Sequence, residues 1–181
     1  MVAEGQQSPT FKTESLGRHH DRAAFSCTTP ALNSYLQKQA AQDLKKRVAA
    51  PFVITPDGKT IAGYYTLSQY AVKLDQFPDE LAKKLPKYGE VPATLIGRLA
   101  VDRRFIGQGL GERLLMDALH RSLELSKGAG SAAVVVDAKD DDAAGFYRKY
   151  GFIELPRVEK RLFLAMQTVA RMFNEADNHA E

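Results

Sequence analysis

Two stretches of the chain carry residue types whose spacing can do chemistry. The first is Gly107-Gln108-Gly109-Leu110-Gly111, three glycines at alternate positions. Without Cβ atoms such a backbone turns tightly and its N–H groups can converge on one concavity. A helical stripe follows, made of Leu110, Leu114, Leu115, Ala118 and Leu119. The start of that helix adds about half a positive charge. Arg103 and Arg104 stand just before the turn. Together these groups make a pyrophosphate cradle, the plainer alternative being a simple tight turn. The second stretch is Ala143-Ala144-Gly145-Phe146-Tyr147-Arg148-Lys149-Tyr150-Gly151-Phe152. Here Tyr147 offers a phenol that can hydrogen-bond or protonate a leaving group. Its plainer alternative is a core tyrosine beside Phe146. Tyr150, three residues on and on nearly the same helical face, is its competitor for the donor role.

The surrounding pattern says what must position these residues. Thr94 to Val101 reads as a strand before the glycine turn, Gly128 and Gly130 end the helix after it, and Ala132 to Val136 is a short buried strand. That is a strand–turn–helix–strand unit of βαβ size. Asp142 to Tyr150 predicts a helix closed by Gly151, Phe152 to Leu155 a strand, Arg161 to Ala165 a last strand, and 166–175 a terminal helix. Upstream, Thr29 and Pro30 open a helix in which Leu32, Leu36 and Ala40 recur at three to four residues. Phe52 to Thr55 and Ile61 to Leu67, joined by Pro56-Asp57-Gly58-Lys59, read as a hairpin. Residues 75–90 form a connection with a short helical piece opening at Pro78. The alternation predicts a single α/β (α+β) domain spanning 1–181, with polar ends at 1–10 and 174–181 expected to fray.

Composition narrows the class of protein. Of 181 residues 44% are hydrophobic and 26% charged, enough apolar mass for a sizeable core. With 25 Lys+Arg against 22 Asp+Glu, the net charge of +3 is a mild bias toward polyanions. The single cysteine, Cys27, excludes an intrachain disulfide and fits a reducing compartment. No stretch approaches the ~20 apolar residues of a membrane span, so a cytoplasmic protein with no membrane partner is expected. His19-His20-Asp21 with Cys27 match no common zinc spacing, and no metal is expected. The glycine turn is no Walker loop, because Glu112-Arg113 follow Gly111. Nor is it a dinucleotide fingerprint, because Glu112 takes the third glycine position.

Arg104-Phe105-Ile106-Gly107-Gln108-Gly109 resembles the Arg/Gln-x-x-Gly-x-Gly/Ala motif of the GCN5-related N-acetyltransferase (GNAT) superfamily. The stretch from Ala143 to Phe152 resembles that superfamily's Ala-x-x-Phe-Tyr-x-x-x-Gly-Phe signature near the thiol end of coenzyme A. Asp140, Asp141 and Asp142 stand where many members carry an asparagine. The resemblance extends over residues 15–165. Phe25-Ser26-Cys27, Leu32-Asn33-Ser34-Tyr35-Leu36, Gly63-Tyr64-Tyr65-Thr66-Leu67, Arg98-Leu99-Ala100-Val101 and Val136-Asp137-Ala138-Lys139 are similar to the toxins of toxin–antitoxin operons that acetylate aminoacyl-tRNA.

The resemblance implies a mixed, twisted central sheet with helices on both faces and a splayed strand pair that admits acetyl-CoA. Backbone groups of Leu99, Ala100 and Val101 would pair with the pantetheine arm. Arg104, Ile106, Gly107, Gln108, Gly109, Leu110 and Gly111 would hold the pyrophosphate, and Tyr147 would assist the departing thiolate. A thiol has a pKa of about 8.5 and a tyrosine about 10, so full proton transfer is uphill by roughly 2 kcal/mol and partial donation is the better description. An antitoxin, commonly a ribbon-helix-helix DNA-binding protein, and a homodimer are further implications.

No general base stands out, and His120 reads as a surface or helix-end histidine. An α-amine, with a pKa of about 7.7 to 8.0 against about 10.4 for lysine, attacks with only a water to take its proton. That favours an α-amine acceptor. Lys38, Lys45, Lys46, Arg47 and Arg98 are the candidates for the phosphates of a tRNA acceptor stem, their alternative being solvated faces. Arg103 with Arg104, and Arg157 with Lys160 and Arg161, complete the basic clusters. Two other functions stay open: acetylation of a small amine or a protein N-terminus, and a non-catalytic domain that binds coenzyme A.

Overall fold

The computed structural model describes the backbone of residues 9–177 and the side chains of residues 9–174. Seven strands form one sheet in the order β1-β2-β3-β4-β5-β7-β6. They are β1 (Lys12–Ser15), β2 (Ala50–Thr55), β3 (Gly63–Lys73), β4 (Glu90–Val101), β5 (Ala133–Asp137), β6 (Ile153–Glu154) and β7 (Arg161–Ala165). Every pairing is antiparallel except β4 with β5. The helices are α1 (Pro30–Lys38), α2 (Ala40–Lys46), α3 (Asp79–Ala82), α4 (Leu110–Gly128), α5 (Asp141–Lys149) and α6 (Met166–Asp177).

Alternation along the strands sorts the core into two faces. Ile54, Tyr65, Leu67, Ile96, Val134 and Val136 meet Leu114, Leu115, Ala118 and Leu119 of α4, Tyr147 of α5 and Val169 of α6. Val53, Tyr64 and Ala100 turn the other way, onto Tyr35 and Leu36 of α1 and Ala40 of α2. Farther along that second face Val72, Ala93, Val135 and Phe163 pack with Phe77 and Leu155. The mixed sheet with helices on both faces is therefore as expected.

Two irregularities of β4 shape the middle of the sheet. Thr66 opposes Arg98 while Leu67 opposes Ile96, so Gly97 is an extra residue, a β-bulge. The bulge shifts the alternation by one. Leu99 and Val101 join the face of α4 with Ile96, while Arg98 and Ala100 turn to the face of α1. Beyond the bulge β5 has also left: the parallel pairing covers only Thr94–Ile96 with Val134–Val136. From Gly97 to Val101, β4 therefore keeps β3 on one side and, among the described residues, has no strand on the other. This is the splayed pair.

Several boundaries differ from the sequence reading. The polar β1, which the apolar pattern does not predict, pairs Lys12 to Ser15 with Thr55 to Phe52. The helix opened by Pro30 bends into two at Gln39, whose φ of −119° leaves the helical range while its N–H still reaches the Tyr35 carbonyl. At the C-terminal end, residues 174–177 continue α6. The rest of the expected fraying, at 1–8 and 178–181, lies outside the described residues.

Candidate active site

At the end of β4 the chain must turn from a strand into α4, and a buried carboxylate builds the corner. Asp102, 1% exposed, accepts from the amides of Ser26 (2.9 Å) and Arg104 (2.8 Å) and from Nε of Arg104 (2.9 Å). Burial pushes the Asp102 carboxyl up. The Arg104 guanidinium and the two amides more than offset this and hold it below the usual carboxylate range. Arg104 is thereby spent on the corner: its own N–H and its side chain both serve Asp102. That corrects its expected place among the pyrophosphate donors, while leaving it the residue that fixes the turn.

After a single 3-10 turn at Arg103–Phe105, Gly107 and Gly109 adopt φ of 84° and 73°. A Cβ on either would meet nothing within 4 Å, so the demand is conformational, about 1–2 kcal/mol for each non-glycine residue. Gly109 caps α4 and Leu110 anchors its first turn in the core. Among the described residues the amides of Ile106 to Gly111 donate to no protein group, as the open first turn of a helix requires. They form a row of free donors on the positive end of a 19-residue helix.

The second motif closes on the first. Phe146 lies 3.9 Å from where a Cβ of Gly111 would stand, and Val101 lies 4.0 Å from the same point. The end of β4, the start of α4 and α5 therefore converge beside the splay. Leu99, Val101, Leu110 and Tyr147 belong to one apolar cluster. Asp140 caps α5 by accepting from the Ala143 amide at 2.8 Å, which accounts for one acid of the Asp140–Asp142 run. Tyr147 is 6% exposed, with its ring 5.3 Å from Phe146 and 5.5 Å from Phe152. Its hydroxyl makes no hydrogen bond among the described residues. Burial, with the negative charge of Asp137 adding to it, pushes its pKa up to about 12. The hydroxyl therefore keeps its proton near neutral pH. Tyr150 has its pKa raised by burial and by the Glu112 carboxylate in the first turn of α4.

On the opposite face of β4, Arg98 lays its guanidinium over the Tyr35 ring, 3.5 Å from the centroid. Tyr35 donates to Asp43 (2.9 Å), which also accepts from Gln39 (2.8 Å). Burial and the Asp43 carboxylate push the Tyr35 hydroxyl up to about 12. A groove of about 890 Å³ is lined by Arg18, Arg22, Lys38, Lys45 and Lys46; Arg98 is not among its lining residues. Lys38, Lys45 and Lys46 come together as expected. Arg18 and Arg22 join them from a loop that carries no charge-run signal.

Arg47 does not join. Its φ of 59° ends α2 and turns it into a neighbouring groove with Val48 and Ala50. The third basic cluster is committed elsewhere: Arg161 bonds Asp137 and Tyr70, and Arg157 donates to the Asp75 carbonyl at 3.2 Å.

Glu14, His19 and His20 bring three potential ligand atoms within 4.8 Å of one another. However, the Gly17 amide donates to His20 Nδ1 at 2.8 Å, which makes Nε2 the protonated nitrogen that donates to Glu14 at 2.7 Å. Both nitrogens are used, so the cluster ties β1 to the loop 16–20. Cys27 is buried apart from it and donates to the Thr29 carbonyl. His120 stacks edge-on against Phe173 of α6, on the back of α4.

A strand-to-helix glycine turn with free amides, a splayed strand and a buried tyrosine donor define an acyl-transfer site of the acetyltransferase kind. The family model described as the acetyltransferase (GNAT) family matches residues 18–152, and the chain belongs to that family. It is 30% identical over 158 residues to a probable toxin TacT of Sinorhizobium fredii, covering 83% of this chain and 87% of that one. It is 32% identical over 155 residues to a tRNA-acetylating toxin of Mycobacterium tuberculosis, covering 86% and 92%. Among solved structures, a tyrosine-to-phenylalanine mutant of KacT superposes with a TM-score of 0.85 at 27% identity, over 90% of this chain and 99% of that one. AtaT complexed with acetyl-methionyl-tRNAfMet superposes with 0.84 at 27% identity, over 91% and 99%.

Proposed function

We propose that this protein is an acetyl-CoA-dependent N-acetyltransferase toxin that acetylates the amino group of aminoacyl-tRNA and so blocks translation. One observation carries the reading: five cations, Arg18, Arg22, Lys38, Lys45 and Lys46, line one groove of the same domain that presents the free-amide turn. A small amine needs no such groove. The similarity to a tRNA-acetylating toxin and to AtaT with its charged tRNA supports the same acceptor.

Acetyl-CoA supplies the acetyl group, its pyrophosphate on the amides of Ile106 to Gly111 and its pantetheine arm along the free edge of Leu99, Ala100 and Val101. The α-amine attacks the thioester carbonyl, forming the C–N bond as the C–S bond breaks. Backbone N–H of the splayed stretch of β4 stabilises the oxyanion. Water takes the amine proton, and the Tyr147 hydroxyl donates a hydrogen bond to the departing sulfur. With the Tyr147 pKa at about 12 and a thiol near 8.5, complete transfer is uphill by about 3 units, so Tyr147 acts as a donor that keeps its proton. Transfer is direct, because Cys27 is buried in the α1 cluster.

Lys38, Lys45 and Lys46 with Arg18 and Arg22 take the phosphates of the acceptor stem. The protein acts in the cytoplasm; among the described residues no helix is long and apolar enough to cross a membrane. Its partner is an antitoxin of the ribbon-helix-helix type, and two copies associate. Support for a protein partner comes from the groove of about 590 Å³ on which Leu44, Val48 and Leu125 are exposed, and from AtaT bound to the C-terminus of the antitoxin AtaR.

Cell-free translation tests the reading. Protein plus acetyl-CoA should stop synthesis, protein alone should not, and Tyr147→Phe should relieve the block. Undisturbed translation with active, acetyl-CoA-loaded protein would refute it.

A further inference from the structure

We infer that Arg98 is the anion site of the acceptor side of the cleft, holding the phosphate of the nucleotide that bears the reacting amine. This rests on the aminoacyl-tRNA reading above and assigns a substrate feature within it.

Arg98 stands on the splayed stretch of β4, one residue past the Gly97 bulge. The bulge turns it away from Leu99 and Val101, onto the face of α1. The side chain is half-buried and its guanidinium is held flat on Tyr35 at 3.5 Å from the ring centroid. Tyr35 is itself fixed: its hydroxyl is bonded to Asp43, and its ring lies nearly parallel to that of the buried Tyr64, 6.3 Å away. A stacked guanidinium keeps its N–H edge free. Among the described residues Arg98 donates no side-chain hydrogen bond and forms no ion pair. Asp43 feels its charge but is already engaged by Tyr35 and Gln39. Five donors in a rigid fork, oriented and unused, suit bidentate recognition of a phosphate.

The coenzyme does not supply that anion. Its pyrophosphate is assigned to the amides of Ile106 to Gly111, beyond the far end of β4 and at the mouth of α4, and its 3′-phosphate, on the ribose beyond the pyrophosphate, stands farther still from the thioester. An anion at Arg98 therefore arrives with the acceptor. The direction is consistent, because Tyr35 and Lys38 lie three residues apart on one face of α1 and Lys38 opens the basic groove. Tyr35, which carries Arg98, thus shares a helix face with a cation of that groove. The amine-bearing nucleotide would be positioned by its phosphate as well as by its amino acid.

The test compares two acceptors made with the amino acid that is acetylated on charged tRNA: the 3′-aminoacyl ester of adenosine, and the same ester carrying a 5′-phosphate. In the wild type the phosphate should raise kcat/KM about 10- to 100-fold, the range of a hydrogen bond to a charged group. In Arg98→Gln the advantage should collapse to under about threefold, and Arg98→Lys should keep part of it as a point charge. Lys38→Gln should keep the full ratio, since its phosphate lies farther along the strand. An equal ratio in wild type and Arg98→Gln, or no phosphate advantage in a wild type that does acetylate charged tRNA, overturns the assignment alone. A wild type that ignores charged tRNA overturns the reading beneath it, and the assignment with it.

Discussion

The two sides of β4 solve their recognition problems with different parts of the chain. On the coenzyme side the work is done by backbone: free amides from Ile106 to Gly111, two glycines at positive φ, and an unpaired strand edge from Gly97 to Val101. Tyr147 is the side chain we propose for the chemistry there. On the acceptor side everything is side chain: Arg98 on Tyr35, and Arg18, Arg22, Lys38, Lys45 and Lys46 around one groove. A backbone site is fixed by the fold and admits one ligand shape. A side-chain site can be retuned by single substitutions while the fold stays. One scaffold can therefore keep its donor and change its acceptor.

The sharpest break is Tyr147→Phe. It should lower kcat by about 10²-fold or more while leaving the KM for acetyl-CoA within about threefold, measured by transfer to charged tRNA. Next in size, Gly107→Val with Gly109→Val should weaken acetyl-CoA binding about tenfold or more by forcing two side chains into left-handed backbone. Calorimetry reads this, and the KM for charged tRNA should hold. Asp102→Asn should cost about 2–3 kcal/mol of stability in denaturant unfolding, because buried amide donors and Arg104 lose their charged acceptor. The Asp102 carboxyl is held below its unfolded value near 3.9, so its contribution is complete above that pH and disappears as pH falls through the lowered folded value. The variant should therefore show a smaller acid loss than the wild type.

A smaller effect belongs to the acceptor side. Lys38→Gln with Lys45→Gln and Lys46→Gln should raise the KM for charged tRNA and flatten its log–log salt dependence by about 2 units, with acetyl-CoA unaffected. Smallest of all, the alkaline limb should show no loss of rate through Tyr147 ionisation up to about pH 10, since its pKa stands near 12. A fall near pH 9 that vanishes in Tyr147→Phe would place the tyrosine in a wetter, less buried setting.

The same contrast explains what the sequence reveals. The glycine turn, α4 and the Phe146-Tyr147 step are local: strand, turn, helix and cap follow one another, and spacing alone orders them. Arg104 misleads because nothing in its spacing shows that the nearby Asp102 is buried with both oxygens occupied. The groove is not local. Arg18 and Arg22 meet Lys45 and Lys46 only after β1 pairs with β2, and β1 is polar enough to leave no strand signal. Arg98 needs the Gly97 bulge to face Tyr35, and nothing in Ile96-Gly97-Arg98 distinguishes a bulge from a plain strand glycine. Proximity in sequence groups Arg47 with the lysines, and its own left-handed backbone sends it to another groove.

The most direct measurement of the central claim offers labelled acetyl-CoA and purified protein four acceptors side by side: charged tRNA, the same tRNA deacylated, a polyamine panel and a peptide panel. Label on charged tRNA alone, released with its amino acid by mild base, is the predicted result. Label on a polyamine or peptide with charged tRNA left untouched would contradict it, keeping the donor side of β4 as described and emptying the acceptor side of its assigned substrate.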